Sequence, residues 1–287
     1  VYRIRGYKVP AATKTSKGTP YINLFDFEKE EKIRSIVTFD EYVEGQHLFF
    51  ATRDGVVKRT SIEEFKLIRQ NGKKCITMRE GDELVDVKLT TGHSIICMSC
   101  DNGKMVKFHE EDVRAMGRTA SGVKGMNVDG GNVVGLSTSD EGNLIIFVSQ
   151  HGYKKKKKIE DYRLTQRGSK GVATMNMTDK TGKILTTKSV NGDEDIMVIT
   201  IDGILIRTSL KEVNVVGRNT QGVKIIRIKD NEQVSSIAVV KASEEVEENP
   251  EETSTEVKED NHQEVVENAE NSQENQENLP ESEENKE

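Results

Sequence analysis

The sequence predicts an all-β, propeller-like fold built from repeats of about 50 residues. Three observations carry that expectation. First, four segments resemble one another: 49–65 (FFATRDGVVKRTSIEEF), 97–113 (CMSCDNGKMVKFHEEDV), 146–162 (IFVSQHGYKKKKKIEDY) and 197–213 (MVITIDGILIRTSLKEV). Each has glycine at its seventh position, and these glycines (Gly55, Gly103, Gly152, Gly203) are 48, 49 and 51 residues apart. Second, each glycine follows a polar residue (Asp54, Asn102, His151, Asp202) between two β-rich runs. That is the pattern of a tight hairpin, and it predicts type I′ turns, which need positive φ. Third, further apolar runs such as 33–39 with 48–51, and 133–136 with 144–148, fill the gaps. The total is about four strands per unit, as in a propeller blade.

In chain order the units lie near 1–48, 49–96, 97–145, 146–196 and 197–242. Four residues after each turn glycine sits a base: Arg59, Lys107, Lys156 and Arg207. Nineteen residues after it, three units carry a second glycine, Gly122, Gly171 or Gly222. The unit that begins at 49 departs, with Lys74 at that place and Gly72 nearby. Run backwards, the register makes Gly18 a second glycine and Arg3 a base, in a unit whose turn glycine would precede Val1. The first unit thus reads as truncated. Closure of the array would protect strand edges that a lone unit exposes.

Charge divides the chain in two. Residues 243–287 hold 18 acidic and 2 basic residues, a net of −16, while residues 1–242 carry +9. The overall −7 therefore hides a basic body and an acidic tail. The tail is Glu, Asn, Gln, Ser and Thr with few apolar residues, and it reads as disordered. No stretch reads as a secretion leader or a bilayer span. Three cysteines, an odd count, suit reduced thiols in a cytoplasm. Trp is absent, which weakens both a stacking platform for single strands and a WD-type interaction propeller.

The second glycine belongs to a longer motif. VRAMGRTASGVKGMNV (113–128) and VVGRNTQGVKIIRI (215–228) share G-R-x-x-x-G-V-K. With the hairpin segments, YKVPAAT near the start and GDELVDVKLTTG (81–92), they closely resemble the C-terminal domain of the A subunit of bacterial DNA gyrase. The resemblance covers residues 1–242. It implies a β-pinwheel whose blades exchange strands, with about five of six blades present. It also implies duplex DNA bent around a basic outer rim, in service of ATP-driven negative supercoiling by a type II topoisomerase. ATP and Mg would then be bound by other domains or the partner subunit, with no cofactor in this fragment. Its partners would be duplex DNA, the rest of the gyrase A protein, and the gyrase B protein in an A2B2 assembly, in the cytoplasm at the nucleoid and away from membranes. The Q-R-R-G-G-R-G-like box typical of gyrase does not occur; Gln166-Arg167-Gly168-Ser169-Lys170-Gly171 is a degenerate echo. Its absence keeps open the sister family, the A subunit of topoisomerase IV, and a protein-interaction propeller is a more remote alternative.

Wrapping needs cations that recur along a curve, because bending the duplex costs on the order of 1–6 kcal/mol. The recurring bases Arg3, Arg59, Lys107, Lys156 and Arg207 are placed on or near the rim. The following turns add Lys73, Lys74, Arg114, Arg118, Lys124, Arg167, Lys170, Arg218 and Lys224, and the run Lys154, Lys155, Lys156, Lys157, Lys158 is the densest patch. Gly18, Gly55, Gly103, Gly122, Gly152, Gly171, Gly203 and Gly222 are assigned to turns, with close approach of backbone N–H groups to phosphate as a second role. Neutralising roughly ten phosphates predicts a log–log salt slope near −9. The plain reading of any one such base is a solvated strand end.

Other signals fail. Cys97-Met98-Ser99-Cys100 lacks the second pair that a zinc ribbon needs. Gly117–Gly122 and Gly217–Gly222 have P-loop spacing but are followed by Val123 and Val223 where lysine is required. No catalytic residue is assigned.

Overall fold

The computed structural model describes residues 1–13, 15–27, 31–69, 71–217, 220–226 and 232–242. The tail read as disordered, 243–287, lies outside the described residues. In order, the strands are β1 (His47–Thr52), β2 (Val56–Ser61), β3 (Leu84–Thr90), β4 (Ile95–Cys100), β5 (Lys104–His109), β6 (Val123–Lys124), β7 (Val133–Thr138), β8 (Leu144–Ser149), β9 (Tyr153–Lys158), β10 (Val172–Ala173), β11 (Ile184–Val190), β12 (Asp195–Thr200), β13 (Leu205–Ser209), β14 (Val223–Lys224) and β15 (Val234–Val240). They form antiparallel sheets in the orders β3-β1-β2-β6, β7-β4-β5-β10, β11-β8-β9-β14 and β15-β12-β13.

The sheets exchange strands. β6 follows the second hairpin in the chain yet pairs with β2 of the first, Val56 with Lys124 and Val57 with Val123. β10 and β14 do the same one and two sheets on. The inner strands β3, β7, β11 and β15 pack against one another in succession. The two-residue exchanged strands therefore lie at the outer border of the first three sheets. Consecutive sheets are also stitched by one recurring backbone bond: Val133 N–H to Arg53 O (2.8 Å), Ile184 N–H to Asp101 O (3.0 Å) and Val234 N–H to Gln150 O (2.9 Å).

Strand alternation sends successive side chains into different layers. Phe49 and Ala51 of β1 pack with Ile96, Met98 and Phe108 of the second sheet, while Leu48 and Phe50 pack with Ile62, Phe65 and Ile76. Both faces of the inner hairpins are thus covered, so these strands read as continuous apolar runs. Truncating the fully buried Phe49 or Phe147 would cost about 3–5 kcal/mol.

Three expectations change. The hairpin turns are not type I′. Only the glycine has positive φ, 82°, 82°, 74° and 82° at Gly55, Gly103, Gly152 and Gly203. Each glycine N–H bonds, at 3.1 Å, the carbonyl three residues back (Thr52, Cys100, Ser149, Thr200). This is a three-residue loop, a type I turn closed by a left-handed glycine, and it asks nothing special of Asp54 or His151. Next, Gly72 rather than Lys74 fills the second-glycine place. Val1 and Lys73 exchange both backbone bonds (2.8 and 2.9 Å), as Val57 and Val123 pair beside Gly122. Finally, five units yield four sheets among the described residues, one of them three-stranded. Residues 1–46 contain no hairpin motif of their own, so two short 3-10 turns (Gly6–Lys8, Tyr21–Asn23) stand where a sheet was expected. That segment still packs Val37, Phe39 and Tyr42 against the first sheet.

Candidate nucleic-acid interface

In the three four-stranded sheets the outer border is wider than the exchanged strand. Met116 N–H bonds Arg59 O, Thr165 N–H bonds Lys107 O and Val216 N–H bonds Lys156 O (2.8, 2.7 and 3.3 Å). Segments 115–126 and 164–175, and the described residues 215–217 and 220–226, therefore run along the free edges of β2, β5 and β9. The second glycines let these segments come close. A Cβ at Gly122, Gly171 or Gly222 would collide with the carbonyl of Val57, Met105 or Lys154. All three also have positive φ, 94°, 75° and 80°. Their backbone thus faces the neighbouring strand.

Three of the bases four residues past a turn glycine, Arg59, Lys107 and Lys156, are turned inward. Lys107 is buried, and its Nζ donates to the carbonyls of Ile159 (2.9 Å) and Tyr162 (2.8 Å), in the turn after the next hairpin. Lys156 donates to Leu210 O (2.7 Å), the same place one unit on. Arg59 reaches the fully buried carboxylate of Glu110 at 3.7 Å, again in the next unit's turn. Arg3 donates to Lys66 O (2.6 Å) and to the Tyr42 hydroxyl (3.1 Å). Arg207 bonds Asp195 (2.7 Å) of its own sheet and Lys241 O (2.8 Å), and like Arg3 it is exposed. The register is a seam between neighbouring units. An ammonium supplies several donors, and here it adds a bond to turn carbonyls, of which those of Ile159 and Leu210 also accept from the N–H groups of Tyr162 and Val213.

The lysine run is a second correction. Lys154, Lys155, Lys156 and Lys157 are buried in β9, and only Lys158 is exposed. Lys154 donates to Thr208 Oγ1 (3.2 Å), Lys155 to Thr174 O (2.5 Å), and Lys157 pairs with Asp161 (2.5 Å). Lys158 pairs with Glu160 at 3.1 Å. Burial lowers Lys155 to about 8, and lowers Lys154 and Lys156 as well. β9 is a middle strand of its sheet with both faces covered, so its stems pack and their ends seek internal acceptors.

The bases near the second glycine do lie on the border. Lys74, Arg114, Lys124 and Lys224 are exposed, and none is in an ion pair among the described residues. Lys170 is exposed and 2.9 Å from Asp129. Arg118 pairs with Glu64 (3.1 Å), Arg167 donates to Asp112 O (3.1 Å) and Lys124 O (2.6 Å), and Lys73 donates to Leu67 O (3.0 Å). Arg218 lies outside the described residues. Sequence reasoning missed Arg163, which is exposed. The signal was present, since Lys66, Arg114 and Arg163 each stand eleven residues after a turn glycine.

Elsewhere, Cys97 and Cys100 are buried, and burial pushes their thiols up to about 12 and about 11. They are protonated at neutral pH, the wrong form for a metal or a nucleophile. A cavity of about 370 Å3 opens beside β7 and β11. Its acids are engaged: Asp101 with Lys183 (3.0 Å) and Glu83 with Arg34 (2.8 Å) and Arg53 (3.1 Å).

Comparison with known proteins follows the same repeat. The family model described as "DNA gyrase C-terminal domain, beta-propeller" matches residues 1–40, 46–91, 100–140, 143–191 and 194–241. Similar curated proteins include the DNA gyrase A subunits of Ureaplasma parvum serovar 3 (44% identity over 245 residues, 85% of this chain) and of Mycoplasma genitalium (44% over 242, 84%). The DNA gyrase A protein of Staphylococcus aureus strain NCTC 8325 is 39% identical over 259 residues, 89% of this chain. The chain spans 29% of the length of each of these relatives. Two solved structures share the fold: the C-terminal domain of DNA topoisomerase IV (TM-score 0.72, 24% identity, 78% of this chain and 71% of that one) and of DNA gyrase A (0.70, 21%, 78% and 76%).

Proposed function

The chain belongs to the DNA gyrase C-terminal domain family, and from that premise we propose that it binds duplex DNA along the outer border of its sheets and bends the duplex around it. The observation that carries this reading is the recurrence of exposed bases on successive border segments: Lys74, Arg114 and Lys124, Arg163 and Lys170, and Lys224. Such contacts meet phosphates, which position a duplex without reading its bases, so preference among sequences follows deformability. In the whole protein this module serves ATP-dependent negative supercoiling by a type II topoisomerase. Cleavage, ATP and Mg belong to other domains and to the gyrase B protein of an A2B2 assembly, working in the cytoplasm at the nucleoid. Among the described residues, no helix is long and apolar enough to cross a membrane.

Several bases assigned from sequence are internal, so the cation count on the border falls by about half. The salt slope moves from near −9 towards about −5. Mobility shift on a duplex of about 20 bp and on one several turns longer, at about 50 and 200 mM salt, tests the reading. Tighter, salt-sensitive binding to the longer duplex is expected. Equal, salt-insensitive binding to both, or none, rejects it and favours a protein-interaction propeller.

A further inference from the structure

Lys58 and Lys155 occupy the same register, three residues past a turn glycine, in β2 and β9. They are 0% and 1% exposed, so neither can meet a phosphate. Lys58 Nζ donates to Cys75 O and Arg118 O. Lys155 Nζ donates to Thr174 O (2.5 Å) and Thr220 O (3.4 Å). In both cases one acceptor lies just after a second glycine (Gly72 or Gly171), and the other lies just before the next such glycine along the border (Gly122 or Gly222). Each lysine thus spans two border segments.

The register does not require a base. β5 and β13 carry Val106 and Ile206 there, and both sheets form. Burying an ammonium costs several kcal/mol before its partners offset it, and the sheets of β5 and β13 form without one at this place. A lysine where two sister sheets use Val and Ile therefore points away from folding and towards the segments it joins.

We infer that Lys58 and Lys155 are positioning residues for DNA wrapping, each tying one border segment to another from beneath and fixing the spacing of the cations above. The inference rests on the proposed function. Surface bonds reinforce the same two junctions: Thr77 N–H and Oγ1 donate to Ala120 O (3.4 Å) and Thr119 O (2.7 Å), and Asn176 N–H donates to Thr220 O (3.2 Å). At the junction between them, where β5 has Val106, the tie comes from outside. There Arg167 donates to Lys124 O (2.6 Å), Gly168 N–H to Gly125 O (2.7 Å) and Asn127 N–H to Ser169 O (2.9 Å). A bent duplex needs its phosphate contacts at set intervals, whereas a short straight one meets only a local cluster. Loosening the ties should spare short-duplex binding and weaken wrapping.

The test compares wild type with Lys58→Met, Lys155→Met and the double variant. It reads affinity for a duplex of about 20 bp and the linking-number change trapped when a nicked circle is sealed on the protein. Expected for the double variant is short-duplex affinity within about twofold of wild type and at least a threefold loss of trapped linking change. Thr77→Val, which removes a surface tie at the same junction and leaves the core intact, should lose less in the same direction, and it carries the test if the lysine variants melt. Unchanged trapping in folded variants, or equal losses in both assays, overturns the inference. If wild type itself binds no duplex, the proposed function fails instead.

Discussion

Two regions of this domain are built from the same residue types and do opposite work. At the seam between units, Arg3, Arg59, Lys107 and Lys156 point into the next unit's turn and neutralise its carbonyls or a buried carboxylate. On the outer border, Lys74, Arg114, Lys124, Arg163 and Lys224 face solvent. What separates them is strand position. A base on the second hairpin strand sits under the exchanged segment and is covered by it. A base on the exchanged segment has nothing further out. Recurrence of charge in a repeat therefore marks a shared structural place, and only the sheet order tells whether that place is wet.

The comparison breaks most sharply at Glu110. Its side chain is fully buried, accepts from Thr90 Oγ1 (2.6 Å) and the N–H groups of Gly92 (2.7 Å) and Ser94 (2.8 Å), and faces Arg59. Glu110→Ala leaves Arg59 and these donors without an acceptor, and unfolding should become easier by about 3–5 kcal/mol in urea titration. Lys107→Met comes next, since it takes the buried ammonium donor away from the carbonyls of Ile159 and Tyr162, at about 1–3 kcal/mol. A seam variant that keeps full stability and loses only DNA affinity would undo the division.

The border should answer in the other direction. Lys124→Gln with Lys224→Gln should leave the urea midpoint unchanged and flatten the log–log salt slope by about 2, one phosphate contact each. A fall in midpoint comparable to that of Lys107→Met would mean that these exposed bases hold the fold.

Most of the architecture was legible in the sequence. The turn glycines, the near-constant spacing and the paired apolar runs specify hairpins, and the second glycine marks the exchanged segment. What the sequence hid was which side of each strand is covered. Lys154–Lys158 look like a surface patch because five lysines in a row are too costly to bury without partners. β9 nevertheless buries four of them by matching each Nζ to a carbonyl, hydroxyl or carboxylate from a neighbouring segment. Those partners are about 20 to 65 residues away for three of the four, beyond any local pattern. Arg163 differs, because its register, eleven residues past Gly152 and shared by Lys66 and Arg114, is visible in the sequence.

The smallest effect concerns proton uptake at the buried lysines. Burial lowers Lys58 and Lys155 to about 8, below the usual 10.5. Below pH 8 both the folded and unfolded chains hold these protons, and the burial penalty stands in full. Between 8 and 10.5 the unfolded chain binds more protons than the folded one, so these two groups make the fold more stable as pH rises. Lys154 and Lys156, also lowered by burial, act in the same sense. At Lys88 burial is outweighed by Glu141 and Asp86, so that group is raised and acts oppositely. Urea midpoints taken at about pH 7.5 and pH 9.5 should therefore rise more in wild type than in the Lys58→Met, Lys155→Met double variant. An equal rise in the two proteins would mean that Lys58 and Lys155 release no proton on folding, and that the pH dependence arises elsewhere in the fold.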